Sequence, residues 1–393
     1  MKRIKTVSVI ILLIVMVAGC GENRQSIDGL ITIDVTKSYP KKELILQDFA
    51  DVEYVSLETT DEFVNDGAVR SVTDDFIIVR NRKDRNAILI FDRHTGKALN
   101  RISRQGQGPE EYIAAIDIIF DEDRKELFVN DFGNQKRILV YDPEGKFKRS
   151  FKSPEDADYR YLYNYDRNHL FGSSNGSIDE RGQAFHIISK QDGSVVCNIE
   201  IPFKKKADLP AITTAGYQVY PSPTNALLPF KDGFILTDLS TDTVYRYSPD
   251  RVLTPFIVRT PSIHAMHSPE VYLLPQAMSE RYYFMRTVKM DIASWRTLES
   301  LLQELPTGHL VYDTKDKTVY EYKMYNADIT GKTEVEIMGQ RCINSEIVFM
   351  QIIEAYKLVA YYKKGELKGR LQEIAAELDE EDNPVIMLVK HKK

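Results

Sequence analysis

The stretch LFVNDFGNQKRILVYDPEGK, residues 127–146, decides how the chain folds. Two apolar runs, residues 127–129 and 138–141, lie on either side of a polar turn, and a second turn with Pro143 and Gly145 follows them. Short apolar runs that end at Gly, Pro, Asn or Asp are typical of β-strands joined by tight turns. The stretch therefore predicts two antiparallel strands and the turn that leads into a third.

The same pattern of an apolar strand and a polar turn recurs along the chain. Its copies are AILIFDRHTGK (87–97), RILVYDPEGK (137–146), FHIISKQDG (185–193), TVYRYSPD (243–250) and LVYDTKD (310–316). The aligned copies are separated by 50, 47, 59 and 65 residues. Short strands that repeat every 40–50 residues or so are typical of propeller blades. With a degenerate sixth copy near 325–362, the sequence predicts an all-β fold, a six-bladed β-propeller of four-stranded antiparallel blades.

Closing such a ring requires one blade assembled from both ends of the chain. Residues 52–57, VEYVSL, alternate in polarity as a strand does, and residues 385–389, VIMLV, form a continuous apolar run typical of a strand buried on both faces. Just before that run, Leu367, Leu371, Ile374 and Leu378 recur at helical spacing. We therefore expect a short C-terminal helix that precedes the closing strand.

The N-terminus has the pattern of an export signal. Lys2, Arg3 and Lys5 precede an apolar run over residues 7–19, which is too short to span a bilayer, and the run ends at Cys20. Small residues before a cysteine resemble the bacterial lipobox, so residues 1–19 are predicted to be a lipoprotein signal peptide and Cys20 the lipidation site; the alternative is an ordinary secretory peptide with a chance cysteine. Residues 20–50 would then be an N-terminal tether, unless residues 30–35 pair as a strand, and 51–393 a single propeller domain.

The charge of the chain limits its partners. Without the three cations of residues 1–19, 49 Lys and Arg face 58 Asp and Glu, a balance that argues against nucleic acid. We expect no cofactor, because the histidines show no metal-ligand spacing. A calcium site on the propeller axis remains an alternative. Asp131 and Asn134, which could be its ligands, are already explained as residues that stabilise a tight turn. Whether Cys197 and Cys342 form a disulfide is left open.

Four motifs together resemble a known family. The stretch 127–145 resembles an NHL propeller repeat, and the further motifs are EYVSLETT (53–60), GQGPEEY (106–112) and DNPVIMLVK (382–390). With the lipobox, they resemble the six-bladed β-propeller lipoproteins that are abundant in Bacteroidota, a family whose function is not defined. The resemblance covers nearly the whole mature chain and implies a fold and a cell-envelope location, on the periplasmic face or the outer-membrane surface, but no chemistry.

The GQGPEEY motif is the first candidate ligand site. Its glycine amides could meet an anion while Glu110 and Glu111 act as acids. The alternative, which we favour, is a connection between blades in which the glycines permit positive φ and Pro109 stiffens the turn.

Four alternating tyrosines are the second candidate site: Tyr159, Tyr161, Tyr163 and Tyr165. In a regular strand all four would face one way. Such rings can stack on a sugar or peptide and hydrogen-bond through the hydroxyl, with Glu155, Asp156 and Asp158 nearby as acceptors. They also pack between propeller sheets, which is the commoner use and the one we favour.

Two functions follow from these features. The first is a non-catalytic binding or scaffold lipoprotein, held to the membrane by the lipid on Cys20, that captures a glycan, peptide or protein partner. The second is a propeller hydrolase, lyase or lactonase that uses axial carboxylates or Ca²⁺. The absence of a catalytic motif favours the first.

Overall fold

The computed structural model describes residues 29–392 apart from 66–67, 82–83, 85, 132–135, 154–158, 175–182, 208–211, 215–216, 220–226, 292–306 and 338–344. The described chain begins with strands β1 (Ile31–Asp34) and β2 (Lys41–Ile45), the one-turn helix α1 (Leu46–Phe49) and strand β3 (Ala50–Ser56). Three antiparallel four-stranded sheets follow, which we name blades 1–3.

Blade 1 contains β4 (Val69–Val72), β5 (Phe76–Asn81), β6 (Ala87–Asp92) and β7 (Ala98–Ile102). Blade 2 contains β8 (Ala115–Asp121), β9 (Glu126–Asp131), β10 (Arg137–Tyr141) and β11 (Phe147–Lys152). Blade 3 contains β12 (Tyr159–Asn164), β13 (His169–Ser174), β14 (Gln183–Ser189) and β15 (Val195–Glu200). A small hairpin then follows, formed by β16 (Ile212–Thr214) and β17 (Tyr217–Val219).

Blade 4 contains β18 (Leu227–Phe230), β19 (Gly233–Leu236), β20 (Thr243–Tyr247) and β21 (Leu253–Thr260), and a 3₁₀ turn (Ile263–Ala265) follows it. Blade 5 contains β22 (Val271–Met278), β23 (Tyr282–Lys289), β24 (Thr307–Asp313) and β25 (Thr318–Tyr325). Blade 6 contains β26 (Ile347–Ile353), β27 (Val385–His391) and β3; helices α2 (Ala355–Lys363) and α3 (Gly369–Glu377) connect β26 to β27. The fold is therefore the predicted six-bladed β-propeller.

The ring closes in blade 6. The C-terminal strand β27 pairs antiparallel with the N-terminal strand β3, from Val385 opposite Ser56 to His391 opposite Ala50. The prediction that one blade combines both chain ends is confirmed. The predicted helix is present as α3, in which Leu371 and Ile374 are buried, and α2 is a further helix that the sequence analysis did not identify.

The described residues before β3, residues 29–49, lie along the outside of the ring. Strand β1 pairs parallel with β21 and becomes a fifth strand of blade 4, and β2 pairs parallel with β25 and becomes a fifth strand of blade 5. Of the two alternatives for residues 30–35, pairing as a strand is therefore the one that the structure shows. Residues 29–49 are packed on the propeller rather than extended as a linker.

The apolar core is divided among the six boundaries between neighbouring blades. In β6, for example, Leu89 and Phe91 face blade 6, whereas Ile88 and Ile90 face blade 2. Because each blade is covered on both faces, its middle strands read as continuous apolar runs rather than alternating ones. This explains why the repeated sequence pattern was visible.

Each repeated pattern is the third strand of a blade and the turn after it. Gly96, Gly145 and Gly193 occupy the same turn in blades 1–3 with φ of 72°, 82° and 74°. Arg251 and Lys317 take the left-handed position in blades 4 and 5, with φ of 63° and 52°. The repeat is weaker in the later blades partly because a long side chain replaces the glycine there.

Candidate functional site

A cavity of about 510 Å³ opens where the innermost strands of the blades end. It is lined by the ends of β4, β8 and β12, by the turn between β18 and β19, and by Ser345 and Glu346 before β26. Five of the six blades thus contribute to its wall. A cavity of this volume is in the range that proteins use for small ligands or for one segment of a larger ligand.

One wall of the cavity is aromatic. The rings of Tyr165 and Phe234 are nearly parallel, at an interplanar angle of 22° with centroids 6.0 Å apart. Phe171 supports Phe234 from behind, with centroids 4.8 Å apart. Tyr163 also lines the cavity, and its hydroxyl donates to the carbonyl of Leu227 at 3.1 Å. Phe234 and Tyr163 are buried and Tyr165 is half-buried, so Tyr165 is the ring that the wall offers to a planar or amphipathic ligand, with Phe234 supporting it.

Hydrogen bonds between neighbouring blades hold the wall together. The amide N–H of Asp74 donates to Glu122 Oε1 at 2.6 Å and links blade 1 to blade 2. The side-chain amide of Asn164 donates to the carbonyl of Phe120 at 2.8 Å and links blade 3 to blade 2. With the Tyr163 hydrogen bond to blade 4, these contacts connect four consecutive blades. The cavity is thus preformed, which reduces the ordering cost of binding.

The lining carries an excess of negative charge. Four carboxylates, those of Asp74, Glu122, Asp232 and Glu346, line the cavity together with one cation, Lys231. The Lys231 ammonium lies 5.4 Å from the centroid of the Phe230 ring. Carboxylates on the wall can accept hydrogen bonds from hydroxyl, amide or ammonium groups of a ligand.

The structure separates the four tyrosines into two groups. Tyr163 packs between blades 3 and 4, with Tyr161 and Tyr165 partly buried at the same boundary. Tyr159 instead packs between blades 2 and 3. The expectation that all four face one way is therefore wrong for Tyr159. Only Tyr163 and Tyr165 line the cavity.

A β-bulge causes this difference. The pairing of β12 with β13 shifts between Tyr159 and Tyr161, so the two-residue alternation is interrupted. Gly172 opposite leaves room for the displaced ring, because a Cβ there would lie 2.6 Å from a ring carbon of Tyr159. Tyr159 is 2% exposed and packs edge-on against His186 at 5.6 Å. It is a packing residue.

The GQGPEEY loop connects blade 1 to blade 2, and both of its glycine amides are used within the loop. Gly108 N–H donates to Glu111 Oε2 at 2.9 Å, and Gly106 N–H donates to the carbonyl of Tyr112 at 3.0 Å. The Glu111 carboxylate fills the space beside both glycines, where a Cβ on Gly106 would lie 1.9 Å from it. The carbonyl of Glu110 accepts the Tyr141 hydroxyl at 2.7 Å. These contacts favour the connection over an anion site. The expectation of positive φ is wrong for Gly106 and Gly108; at Gly106 the Glu111 side chain occupies the place of a Cβ.

Asp131 and Arg137 both belong to the NHL-like stretch 127–145, and their side chains hold this same loop in place. Asp131 Oδ1 accepts the amides of Ile113 and Ala114, both at 2.9 Å. The Arg137 guanidinium donates to the carbonyls of Gly108 and Pro109, both at 3.0 Å. Both side chains are buried. Asp131 therefore holds a loop that lies 17 and 18 residues earlier in the chain, and its own turn, residues 132–135, lies outside the described residues.

Other expectations fall on residues that are not described. Cys20, Asn134, Glu155, Asp156, Asp158 and Cys342 lie outside the described residues. Within the described ranges, no group of three His, Cys, Asp or Glu side chains could hold a metal ion. In that same part of the chain, no helix is long and apolar enough to cross a membrane.

Sequence reasoning missed most of the cavity. Asp74, Glu122, Lys231 and Asp232 lie in or next to the turns after the innermost strands, and Phe234 is the second residue of the second strand of blade 4. One sequence feature could have indicated the cavity, namely the polar residues that follow the first strand of several repeats. These residues converge on the axis once the ring closes.

Comparisons with known proteins agree with the fold. The "putative exported protein" of Bacteroides fragilis has a similar structure, with a TM-score of 0.63 and 14% identity over 93% of this chain and 100% of that one. A member of the DUF4221 family from Bacteroides vulgatus has a TM-score of 0.48 and 12% identity over 88% of this chain and 99% of that one. The comparison with curated proteins finds no match. The profile of the family described as "Domain of unknown function (DUF4934)" matches residues 30–390, and the chain therefore belongs to that family.

Proposed function

We propose that this chain is an exported, lipid-anchored binding module of the cell envelope that captures its ligand in the axial cavity without catalysis. The ligand enters as a segment, either a sugar unit of a glycan or a side chain of a peptide. The lipid on Cys20 holds the propeller at a membrane surface, where two or three acyl chains give durable anchoring.

The observation that carries this proposal is the Tyr165–Phe234 wall beside the carboxylates of the cavity. Ring faces contribute apolar contact and stacking, whereas the carboxylates and the backbone at the strand ends accept hydrogen bonds. Glycan units and peptide side chains both present an apolar face and polar edges. The inter-blade hydrogen bonds keep this surface in one shape before the ligand arrives.

Binding is tested with the mature chain, residues 21–393, in a thermal-shift screen against glycans, peptides and Ca²⁺, followed by calorimetric titration of any hit. We expect a hit whose affinity falls about fivefold or more in Tyr165→Ala, because stacking contributes about 1 kcal/mol. Tyr356→Ala is the matched control, since Tyr356 is exposed on α2 and does not line the cavity. A flat screen, or an equal loss in both variants, would contradict the proposal.

The anchor is tested separately. Cells that express the full chain and are fed a radiolabelled fatty acid should label the wild type and not Cys20→Ala, and the variant should leave the membrane fraction. Equal labelling of both proteins would contradict lipidation at Cys20 and would leave the cavity proposal intact.

Catalysis is the second candidate, and the four carboxylates of the cavity are the observation that favours it. Glycosidic chemistry needs one carboxyl as acid and another as base or nucleophile. If a hit from the screen is hydrolysed, Glu122→Gln should abolish turnover and retain binding. If every hit is recovered intact after prolonged incubation, the binding function is favoured.

A further inference from the structure

The charge of the cavity narrows the ligand class, an inference that rests on the proposed binding function. Glu122 is partly buried at the end of β8, and its Oε1 accepts the amide of Asp74 at 2.6 Å. Among the described residues, no cation lies within 4.0 Å of the Glu122 carboxylate. Because a partly buried charge is costly without a counter-charge, this carboxylate is suited to receive one from a ligand.

The neighbouring carboxylates are only partly neutralised. The nearest recorded cation of Asp74 is Arg93, at 4.0 Å, and that guanidinium also contacts Glu53 at 3.4 Å and donates to the Thr73 carbonyl at 2.7 Å. Asp232 pairs with Arg246 at 3.1 Å at the solvent-exposed rim, where such a pair is weak. Within the described lining, Asp74, Glu122 and Asp232 therefore outnumber the one cation, Lys231, and this negative excess favours a cation inside the cavity.

The uncompensated carboxylate and the aromatic wall lie at adjacent corners of the cavity. The Asn164–Phe120 hydrogen bond joins the inner strands of blades 3 and 2. Tyr165 directly follows Asn164, and Glu122 follows Phe120 by two residues. A ligand that places its cation at Glu122 can therefore lay its alkyl stem against the Tyr165 ring. A cation near an aromatic face gains a further attraction from the ring quadrupole.

We propose that the axial cavity recognises a basic peptide segment, whose lysine or arginine side chain places its charge at Glu122 and its stem on the Tyr165–Phe234 wall. A neutral glycan would leave the Glu122 charge uncompensated, and an anionic ligand would be repelled. The carboxylates at Asp74 and Asp232 flank the entrance and favour approach of the same cation.

The experiment compares two hexapeptides that differ only in their third residue, lysine or acetyl-lysine, by calorimetric titration of the mature chain. Acetylation keeps the stem and removes the charge, so the comparison isolates the cation. We expect the lysine peptide to bind about tenfold more tightly, a difference of about 1.4 kcal/mol, since a hydrogen bond to a charged group is stronger than a neutral one. Raising the NaCl concentration from 50 to 500 mM should reduce that difference.

Glu122→Gln should bring the lysine peptide to the affinity of the acetylated one, and Asp123→Asn, which removes an equal charge next door and outside the cavity, should not. Equal binding of the two peptides by the wild type, or equal effects of the two variants, would overturn the inference. If both peptides or a neutral glycan bind equally and depend on Tyr165, the proposed function stands without this inference. If no ligand binds at all, both fail.

Discussion

The Lys190 ammonium lies 2.6 Å from Asp121 Oδ2, and the two side chains are 1% and 4% exposed. Lys190 follows the third strand of blade 3 and Asp121 ends the first strand of blade 2, so the ion pair crosses a blade boundary. The ammonium also donates to the Asp166 carbonyl at 2.8 Å. Burial lowers the pKa of Lys190, and the Asp121 carboxylate opposes this shift. Blades 2 and 3 are thus held by a buried charge pair beside the cavity wall that they share.

Replacing Lys190 with Met should destabilise the protein by about 3–5 kcal/mol, because the Asp121 carboxylate is left buried without a counter-charge. Chemical denaturation of the two proteins measures the difference. Lys363→Met is the matched control: Lys363 pairs with Glu380 at 2.7 Å, but the side chains are 66% and 59% exposed, so the cost should be below about 1 kcal/mol. Similar losses of unfolding free energy in both variants would show that burial of the Lys190–Asp121 pair does not determine its contribution.

Glu126 gives a prediction for pH dependence. Burial disfavours its charge, but hydrogen bonds from Arg149 and Lys148 outweigh burial and lower the pKa of Glu126 from 4.5 to about 2. A lowered pKa in the folded state stabilises the fold above pH 4.5 and loses this effect as the pH falls through about 2. The shift corresponds to roughly 3 kcal/mol for a side chain that is 6% exposed.

Glu126→Gln should therefore be less stable than the wild type at pH 6, and the difference should shrink between pH 4.5 and 2. Urea unfolding at a series of pH values measures it, with Glu380→Gln as the exposed control. A difference that does not change with pH would contradict the assignment of the shift to the Arg149 and Lys148 contacts.

Replacing Gly96 should reduce stability for two reasons, its positive φ and a clash between the new side chain and a neighbouring strand. Its φ is 72°, and a Cβ there would lie 1.8 Å from the carbonyl oxygen of Ser56 in blade 6. Gly365 has a similar φ of 69° with nothing within 4 Å of a Cβ. Gly365→Ala should cost about 1–2 kcal/mol, the left-handed penalty alone, and Gly96→Ala about 1–3 kcal/mol more from the forced displacement. Thermal unfolding compares them, and equal losses would argue against the clash.

Tyr159 and Tyr163 should respond oppositely to loss of the hydroxyl. The Tyr159 hydroxyl is buried and has no hydrogen-bond partner among the described residues, and burial raises the pKa of Tyr159. Tyr159→Phe removes an unsatisfied polar group and should leave stability unchanged or raise it by about 1 kcal/mol. Tyr163→Phe loses the bond to Leu227 and should cost about 1 kcal/mol. Denaturation midpoints test this, and a clear loss in Tyr159→Phe would indicate a water-mediated partner.

The strands of the blades could be predicted from the sequence because each blade repeats an apolar run followed by a polar turn. Residues 87–91 and 138–141 are continuous apolar runs, since alternate side chains enter two different inter-blade cores. The outer strands β1 and β2 have no comparable signal. They join blades 4 and 5 through backbone pairing, and most of their side chains are not fully buried. Hydrogen bonds of the main chain leave little trace in the choice of residues.

The tyrosine run shows a second limit of sequence reasoning. Alternation of tyrosines predicts a common face only if the strand is regular, and the bulge after Tyr159 breaks that condition. The bulge depends on Gly172, thirteen residues away, which leaves space for the ring. A local pattern does not contain this information.

The amino-acid sequence by itself determined the six-bladed ring, its closure by both chain ends and the helix before the closing strand, because each is written in local apolar periodicity and turn residues. Only the tertiary structure decided the cavity. Asp74, Glu122, Tyr165, Phe234 and Glu346 are far apart along the chain and meet because the innermost strand of each blade ends near one axis. Their convergence is a property of the closed ring, which no single repeat contains.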